Sequence, residues 1–483
     1  METLKEKTAR GLFWGGMNNG VQQLLGLAFG IILGRLLDPS DYGMTAMLAV
    51  FSVIANELQA SGFKTGLINL KSPTHEDYNA VFWFNILAGV AIYVVLWFAA
   101  PLIADYYHHQ SKLIPLSRYV FLGFVFSSFG MAQSAYLTKQ MQIRQIAQCG
   151  MTATLTSSIV SVILAALGFG YWALATQYLM YIAVNTLLLW YFSAWRPTSL
   201  VLSAQFFEPI RRLFPFSFKI MLSAIFTQLN NNIMNMLLGR YYGEANTGHY
   251  NQAYQWSSKC FLFVGNMLKQ VDQTVLVGLD DERERQLQVL RKMVRFTAFI
   301  SFPLLFGLGL VSHEFIILAI GEKWAFSASL LPYLCLCGAF MPLSSLLTDA
   351  IISQHRSDIY LWSTVALGLL QIGLMVTLWP QGIYVMVIAY TILNILWVFV
   401  WHFFTHRLMG YRLIHFLKDI LPFALASVAV MAVTGFITQA VTNLWLLLVI
   451  RVILASALYF IVMRLAGAVI LQEIIRYLAR PRS

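Results

Sequence analysis

Long apolar runs separated by short polar breaks cover almost the whole chain. They lie near residues 10–36, 40–63, 79–104, 115–138, 146–168, 170–193, 214–239, 246–277, 289–312, 327–353, 358–379, 382–405, 418–440 and 444–465. A membrane-crossing helix needs about 20 mainly apolar residues, and it satisfies its own backbone hydrogen bonds inside the hydrocarbon. Barrel strands would alternate apolar and polar residues over about ten positions. The pattern predicts an all-α, polytopic membrane protein with about fourteen transmembrane helices.

A short motif occurs twice, each time at the end of a long apolar run. Residues 33–43 read LGRLLDPSDYG and residues 238–248 read LGRYYGEANTG. At the same spacing and without a gap, Gln23-Leu24 matches Gln228-Leu229, Ser52 matches Ser257, and Lys64 matches Lys269. The agreement indicates an internal duplication, with composition bias among Leu, Gly and Ser as the alternative.

The longest polar connections are 194–213 and DDERERQ at 280–286. The first divides the chain after six spans, and the repeat places span one on span seven. We therefore expect two pseudo-symmetric six-helix lobes of equal orientation, related by an axis along the membrane normal, with the largest cavity between them. The expected divisions are an N-lobe at 1–193, a cytoplasmic linker at 194–213, a C-lobe at 214–406, and a C-terminal helix pair and tail at 407–483.

Composition and charge agree with a membrane protein and add its orientation. Hydrophobic residues form 59% of the chain and charged residues 11%, against roughly 25% charged in soluble domains. With a cytoplasmic N-terminus, most of the 32 Lys and Arg residues fall on the cytoplasmic side, so both termini are expected there. The net charge of +11 is scattered over short loops and helix ends, which does not favour nucleic acid as a partner.

Several function classes lack their signatures in the sequence. Cys149, Cys260, Cys335 and Cys337 fall inside apolar runs without a partnering His or Cys cluster, so we interpret them as packing residues rather than metal ligands or disulfides. No GxxxxGK[ST] loop is present, so ATP hydrolysis by this chain is not expected. No metal or other cofactor is predicted. The start METLKEKTAR leads directly into a long span without a cleavage site, so no cleavable signal peptide is expected.

Amides recur at helical spacing inside three predicted spans. In the seventh span, FTQLNNNIMNMLLGR places Gln228, Asn231, Asn232 and Asn235 on one face. The eighth span carries a longer stripe of Gln252, Gln255, Lys259, Asn266, Gln270 and Gln273, and the first span begins with Asn18, Asn19, Gln22 and Gln23. Such faces are costly in lipid, so they predict a water-filled wall. Hydrogen bonding between neighbouring helices is the alternative.

Charged residues within the spans form a second candidate set. Glu57, in the middle of the second span, is a candidate proton or cation coupling site, or a structural partner of a lysine. Lys64 follows seven residues later, on nearly the same face of a continuous helix. Lys259 is predicted at mid-membrane depth, where an ammonium needs a carboxylate or water. Lys64 and Lys269 could instead snorkel from cytoplasmic helix ends, and Asp272 could neutralise Lys269.

The candidate site therefore combines amides with cations. Arg240, at the outer end of the seventh span, could join it, snorkel, or cap helix carbonyls. Amides and aromatic rings suit sugar hydroxyls, and cations suit phosphate or acidic sugars, so an amphipathic, anionic cargo is expected. The substrate-binding candidates are Lys64, Lys259, Lys269, Arg240, Gln228, Asn231, Asn235, Gln252, Gln255, Asn18 and Gln22. The ion-coupling candidates are Glu57 and Asp272.

The segments ILGRLLDPSDYG and ASGFKTGLINL resemble the polysaccharide transporter family of the multidrug/oligosaccharidyl-lipid/polysaccharide exporter superfamily, the Wzx-type flippases. The resemblance is most specific over residues 10–75 and is especially close to exporters of colanic-acid-like repeat units. It implies a V-shaped pair of six-helix lobes and a central cavity that opens alternately to either side. The paired basic residues that a lipid II flippase carries in its first helix are absent, and Asn18 and Asn19 stand there instead.

By this resemblance, the cargo is an undecaprenyl-diphosphate-linked oligosaccharide, turned from the inner to the outer leaflet of the bacterial cytoplasmic membrane. A polysaccharide polymerase would then extend it, so polymerase machinery and membrane lipids are the expected partners. In such proteins cationic lumen residues meet the diphosphate or acidic sugars, and Lys64, Lys259, Lys269 and Arg240 are the candidates here. Coupling to protons or sodium through Glu57 or Asp272 is a hypothesis based on their predicted depth.

Two other functions remain open from the sequence. A drug/cation antiporter of the same superfamily would use Glu57 as its coupling carboxylate. An integral-membrane polymerase or ligase acting on lipid-linked sugars would need an extended outer loop with catalytic residues, whereas the outer connections near 105–114 and 313–326 are short. His108 and His109 lie in the first of these connections without a partnered carboxylate motif, as in a solvated turn.

Overall fold

A computed structural model describes residues 4–60, 62–198, 204–277, 283–354, 356–468 and 470–472. This part of the chain forms helices and contains no strand. The α-helices are α1 Leu4–Leu36, α2 Pro39–Ala60, α3 Phe63–Asn69, α4 His75–Tyr106, α5 Leu113–Ser128, α6 Met131–Lys139, α7 Ile143–Ala166, α8 Tyr171–Phe192, α9 Ala204–Val277, α10 Arg283–Leu310, α11 Ser312–Ile320, α12 Ala325–Ser353, α13 Ser357–Leu378, α14 Ile383–Met409, α15 Leu413–Ile437 and α16 Leu444–Leu465. The all-α prediction is confirmed.

The protein is a multi-pass membrane protein. Among the described residues, ten helices are long and apolar enough to cross a membrane, or eleven if the bent pair α5 and α6, which meet at 43°, forms one span. The predicted seventh and eighth spans both fall within α9, which is not one of these helices. The count of fourteen spans stays a prediction.

Two glycines with positive φ interrupt the helices. Gly243, with φ of 77°, breaks the regular geometry of α9 between the predicted seventh and eighth spans. Gly62, with φ of 67°, separates α2 from α3, a conformation that a residue with a Cβ rarely adopts. The expectation that one continuous helix carries Glu57 and Lys64 is therefore wrong, because Lys64 belongs to the short helix beyond the break.

The chain divides into two compact units, Met1–Gly248 and His249–Ser483. The four predicted divisions stay a prediction. In the first unit, α7 packs against α1 and α8, α5 against α4 and α8, and α2 against α4, α5 and α8. Met47, Phe121 and Phe124 are fully buried in the core between these helices. The hydroxyl of Tyr107 donates a 2.8 Å hydrogen bond to the Met47 carbonyl, which ties the end of α4 to α2.

The glycines that end the two copies of the repeated motif lie at one backbone contact. A Cβ on Gly43 would overlap the backbone carbonyl of Glu244, and a Cβ on Gly248 would overlap the carbonyl of Pro39. The start of α2 and the α9 segment after Gly243 therefore touch backbone to backbone. Because only glycine permits this approach from both sides, the contact gives a physical reason for the repeated glycine.

In the second unit, α10 packs against α12 and α15, α12 against α14, and α13 against α14. Polar contacts hold the last two helices to the rest of this unit. Arg291 of α10 donates two hydrogen bonds, of 2.8 and 3.1 Å, to the buried Asp419 carboxylate of α15. Arg451 of α16 donates to Glu314 of α11 at 2.8 Å. The final helix pair is thus packed against its own unit by two ion pairs.

Candidate functional site

A cavity of about 300 Å³ lies within the first unit, between α2, α5, α8 and α9. Its polar lining consists of Thr45, Ser52, Asn56, Tyr178 and Gln228, and its apolar lining of Ala49, Val53, Val120, Leu174 and Ala175. None of the described residues in this lining is charged. These residues therefore offer hydroxyl and amide groups beside apolar surface.

Helical periodicity brings half of this lining from α2. The α2 residues Thr45, Ala49, Ser52, Val53 and Asn56 follow i, i+4, i+7, i+8 and i+11 spacing, which places them on one face. All five are small or medium-sized side chains. Because α2 packs against both α5 and α8, this face leaves open space between them that larger residues would fill.

Two of the predicted site residues meet at the cavity. The Gln228 amide lines the cavity, and its Nε2 donates to Oε1 of Glu57 at 3.4 Å. Glu57 is half-buried and follows Asn56 of the lining directly. The predicted coupling carboxylate and the predicted amide face are thus in contact, although they lie far apart in the sequence.

One cavity hydroxyl has no hydrogen-bond partner among the described residues. The Ser52 side chain is 9% exposed, and its Oγ makes no hydrogen bond within the described part of the protein. Several serine and threonine hydroxyls in these helices bond a carbonyl three or four residues earlier, as Thr45 bonds the Tyr42 carbonyl at 2.9 Å. Ser52 therefore keeps an unused donor and acceptor beside the cavity.

The remaining amides predicted in the first unit have different surroundings. Asn231 is exposed, whereas Asn235 is 4% exposed and its Oδ1 has no partner among the described residues. Asn232 donates to the Gln228 carbonyl at 3.0 Å. Gln22 is half-buried in α1. Of the predicted face on α9, Gln228 is the residue that reaches the cavity lining.

The predicted cations of the first unit lie apart from the cavity lining. Lys64 is half-buried on α3. The Arg240 guanidinium donates to the carbonyls of Tyr106 and Asp105, at the C-terminal end of α4, and lies 5.0 Å from the centroid of the Tyr106 ring. These contacts favour carbonyl capping, one of the interpretations that the sequence left open. The side chains of Asn18, Lys269 and Asp272 lie outside those that the structure describes.

In the second unit, the predicted stripe on α9 is mixed in exposure. Gln252 is 3% exposed and its Oε1 has no partner among the described residues, whereas Gln255 is exposed and donates to Asn251 at 2.6 Å. The Lys259 Nζ lies 4.2 Å from the centroid of the Trp256 ring, a cation–π contact. This contact gives the ammonium a favourable neighbour without requiring a bound ligand.

Sequence reasoning missed Thr45, Ser52, Asn56 and Tyr178. The first three could have been found from their common spacing on α2, since polar residues at i, i+7 and i+11 share one face. Tyr178 carries no such signal, because one tyrosine in an apolar helix is ordinary. Among the described residues there is no group of three or more His, Cys, Asp or Glu side chains that could hold a metal ion.

The sequence and the fold both resemble known proteins. The model of the family described as "Polysaccharide biosynthesis protein" matches residues 32–329. The lipopolysaccharide biosynthesis protein WzxC of Escherichia coli (strain K12) is 27% identical over 363 residues, which covers 74% of this chain and 72% of WzxC. The succinoglycan biosynthesis transport protein ExoT of Rhizobium meliloti (strain 1021) is 26% identical over 327 residues, covering 64% of this chain and 63% of ExoT.

A solved structure shares the fold. The lipid II flippase MurJ in an inward closed conformation superposes with a TM-score of 0.75 at 14% identity, over 96% of this chain and 100% of MurJ. At that identity the likeness establishes the fold alone.

Proposed function

Because this chain belongs to the polysaccharide biosynthesis protein family, we propose that it is a flippase for undecaprenyl-diphosphate-linked oligosaccharides. The observation that carries the proposal is the family match over residues 32–329, together with a relative named as a transport protein. The fold shared with a lipid II flippase agrees with it. The chain would act as a transporter and not as an enzyme.

The proposed transport turns the oligosaccharide from the inner to the outer leaflet of the bacterial cytoplasmic membrane. The sugars pass through polar space inside the protein while the polyprenyl tail stays in lipid, because only the sugars and the diphosphate are costly to bring into hydrocarbon. Two six-helix lobes within fourteen spans would rock to give alternating access. Both termini would face the cytoplasm, and a polysaccharide polymerase would take up the product.

The proposal divides the cargo between two kinds of side chain. Hydroxyls and amides such as Gln228 would bind sugar, since they both donate and accept hydrogen bonds. Cations would bind the diphosphate through charge-assisted hydrogen bonds, and Lys64 and Lys259 are the described candidates. Lys269 stays a third candidate on sequence grounds. Arg240 is the weakest, because its guanidinium is engaged by the end of α4.

One observation also favours a second candidate, a drug/cation antiporter. The Glu57 carboxylate lies beside the cavity and in contact with Gln228, where a coupling carboxylate of an antiporter could lie. In the flippase, the same carboxylate would couple transport to a proton or sodium gradient. Asp272 stays an alternative coupling residue on sequence grounds.

Deletion of the gene in its native bacterium tests the proposal and separates the two candidates. If the chain is a flippase, lipid-linked repeat units should accumulate in the deletion strain. They should stay inaccessible to an impermeant sugar-oxidising label added outside the cytoplasmic membrane. Re-expression of the chain should restore labelling. Unchanged labelling together with reduced efflux of a cationic dye would support the antiporter instead.

A further inference from the structure

The two copies of the internal repeat differ at the positions that form the cavity. At the spacing that relates Ser52 to Ser257, the counterparts of Thr45, Ala49 and Asn56 are Tyr250, Tyr254 and Phe261. In the second unit these three aromatic side chains pack on one another. The Tyr250 and Tyr254 ring centroids are 6.1 Å apart and those of Tyr254 and Phe261 are 6.3 Å apart. Three large rings therefore stand at the positions where the first copy has small side chains.

The serine shared by the two copies also differs in use. The Ser257 hydroxyl, buried in the second unit, donates to the Leu334 carbonyl at 2.9 Å and packs against Gly338. Its counterpart Ser52 is buried without a hydrogen-bond partner in the described part of the protein. A buried hydroxyl that lacks a partner is destabilising, so a ligand that bonds Ser52 would remove that cost. The first copy has the arrangement expected of a binding site and the second that of a packed core.

We propose that the cavity is a subsite for one uncharged sugar ring of the cargo, and that the diphosphate is held elsewhere. This inference rests on the proposed flippase function. The hydroxyls of Thr45, Ser52 and Tyr178 and the amides of Asn56 and Gln228 match the mixed donors and acceptors of a sugar. Val53, Val120 and Leu174 provide apolar surface for the C–H face of the ring.

The charge of the lining and the volume of the cavity both favour one uncharged sugar ring as the ligand. The described lining residues include no cation, and burying a diphosphate without one is strongly unfavourable. The volume of about 300 Å³ is at the lower end of the range for small-molecule pockets. It suits one ring with a few ordered waters rather than a whole oligosaccharide repeat unit.

Binding to the purified full-length protein in nanodiscs tests the subsite with two probes. One is the lipid-linked oligosaccharide extracted from the native bacterium, and the other is undecaprenyl diphosphate without sugar. The Ala49→Tyr variant places the second-copy side chain into the cavity. It should lower the affinity for the sugar-bearing lipid to that for the sugar-free lipid, whose own affinity should not change. The control is Leu58→Phe, which enlarges an exposed residue of α2 outside the lining and should bind both probes as the wild type does.

A milder variant covers the case in which Ala49→Tyr does not fold. Ser52→Ala removes one hydroxyl without adding volume, and it should weaken binding of the sugar-bearing lipid by up to about tenfold while the protein stays folded. Equal losses for both probes, or no loss for the sugar-bearing probe, would overturn the subsite. The proposed function fails separately, if the wild-type protein does not move the sugar-bearing lipid between leaflets.

Discussion

Replacing Asp419 by Asn should destabilise the protein much more than the same change at Asp358. Both aspartates accept two hydrogen bonds from one arginine, at 2.8 and 3.1 Å for Arg291 with Asp419 and at 2.9 Å twice for Arg356 with Asp358. They differ in burial, because the Asp419 side chain is 4% exposed and that of Asp358 is 57% exposed. The comparison therefore sets a buried aspartate at the centre of a polar cluster against an exposed aspartate with the same two-bond arginine contact.

The neighbours of Asp419 set the size of the effect. Its carboxylate also accepts a 2.8 Å hydrogen bond from the Tyr411 hydroxyl and lies 3.5 Å from Nε of Arg295. Burial, and next the negative charge of Asp419, raise the pKa of Tyr411, so this hydroxyl stays a donor. Removing one partner of a buried ion pair costs about 3–5 kcal/mol. We expect about 3 kcal/mol, because Arg291 and Arg295 are 29% and 38% exposed and stay partly hydrated.

Thermal unfolding of the detergent-solubilised protein, followed by tryptophan fluorescence at a fixed heating rate, measures the difference. Because the midpoint shift per kcal/mol falls as the chain grows longer, a cost of about 3 kcal/mol should lower the midpoint for Asp419→Asn by about 3–6 °C. The exposed pair is screened by solvent and contributes little, so Asp358→Asn should lower the midpoint by less than about 1 °C. Midpoints that fall equally in the two variants would show that the buried Asp419 does not anchor the last helix pair.

Three further predictions concern close packing, a second ion pair and coupling. Gly43→Ala should lower the free energy of unfolding by about 1–3 kcal/mol because its Cβ would overlap a backbone carbonyl. The control Gly26→Ala, with no atom near its Cβ, should leave the unfolding midpoint unchanged or higher. Equal midpoints for the two variants would contradict the backbone contact. Arg451→Ala should lower the unfolding midpoint more than the double variant Arg451→Met/Glu314→Leu. The single change leaves the Glu314 carboxylate, which is 5% exposed, without its arginine. The reverse order of midpoints would argue against a buried ion pair. Glu57→Gln should abolish the dependence of transport on an ion gradient, measured in liposomes, and undiminished dependence would remove Glu57 from coupling.

Much of the helical architecture could be predicted from the sequence because apolar run length directly reflects membrane thickness. The predicted runs 358–379 and 382–405 correspond to α13 and α14, since the turn signal WPQG marks their boundary. The break at Gly62 was not predicted. A single glycine in an apolar run is compatible with a helix, and the packing around it decides whether φ becomes positive.

The candidate site could be predicted only in part. Gln228 and Glu57 stood out because polar groups inside a span need a reason to be there. Ser52 did not, because a serine in a membrane helix usually bonds its own backbone. Its missing partner becomes visible only when the neighbouring helices are in place. The sequence also left the role of Arg240 open, because its partners at the end of α4 are far away along the chain.

Reconstitution into liposomes shows whether this chain moves lipid-linked sugar across a membrane. The purified protein is placed in liposomes that carry a fluorescent undecaprenyl-diphosphate-linked oligosaccharide on one leaflet, with and without an imposed proton or sodium gradient. We expect the label to reach the opposite leaflet faster than in protein-free liposomes, and the gradient to change the rate. Label that stays on its original leaflet, while a cationic dye leaves the same liposomes in response to the gradient, would contradict it.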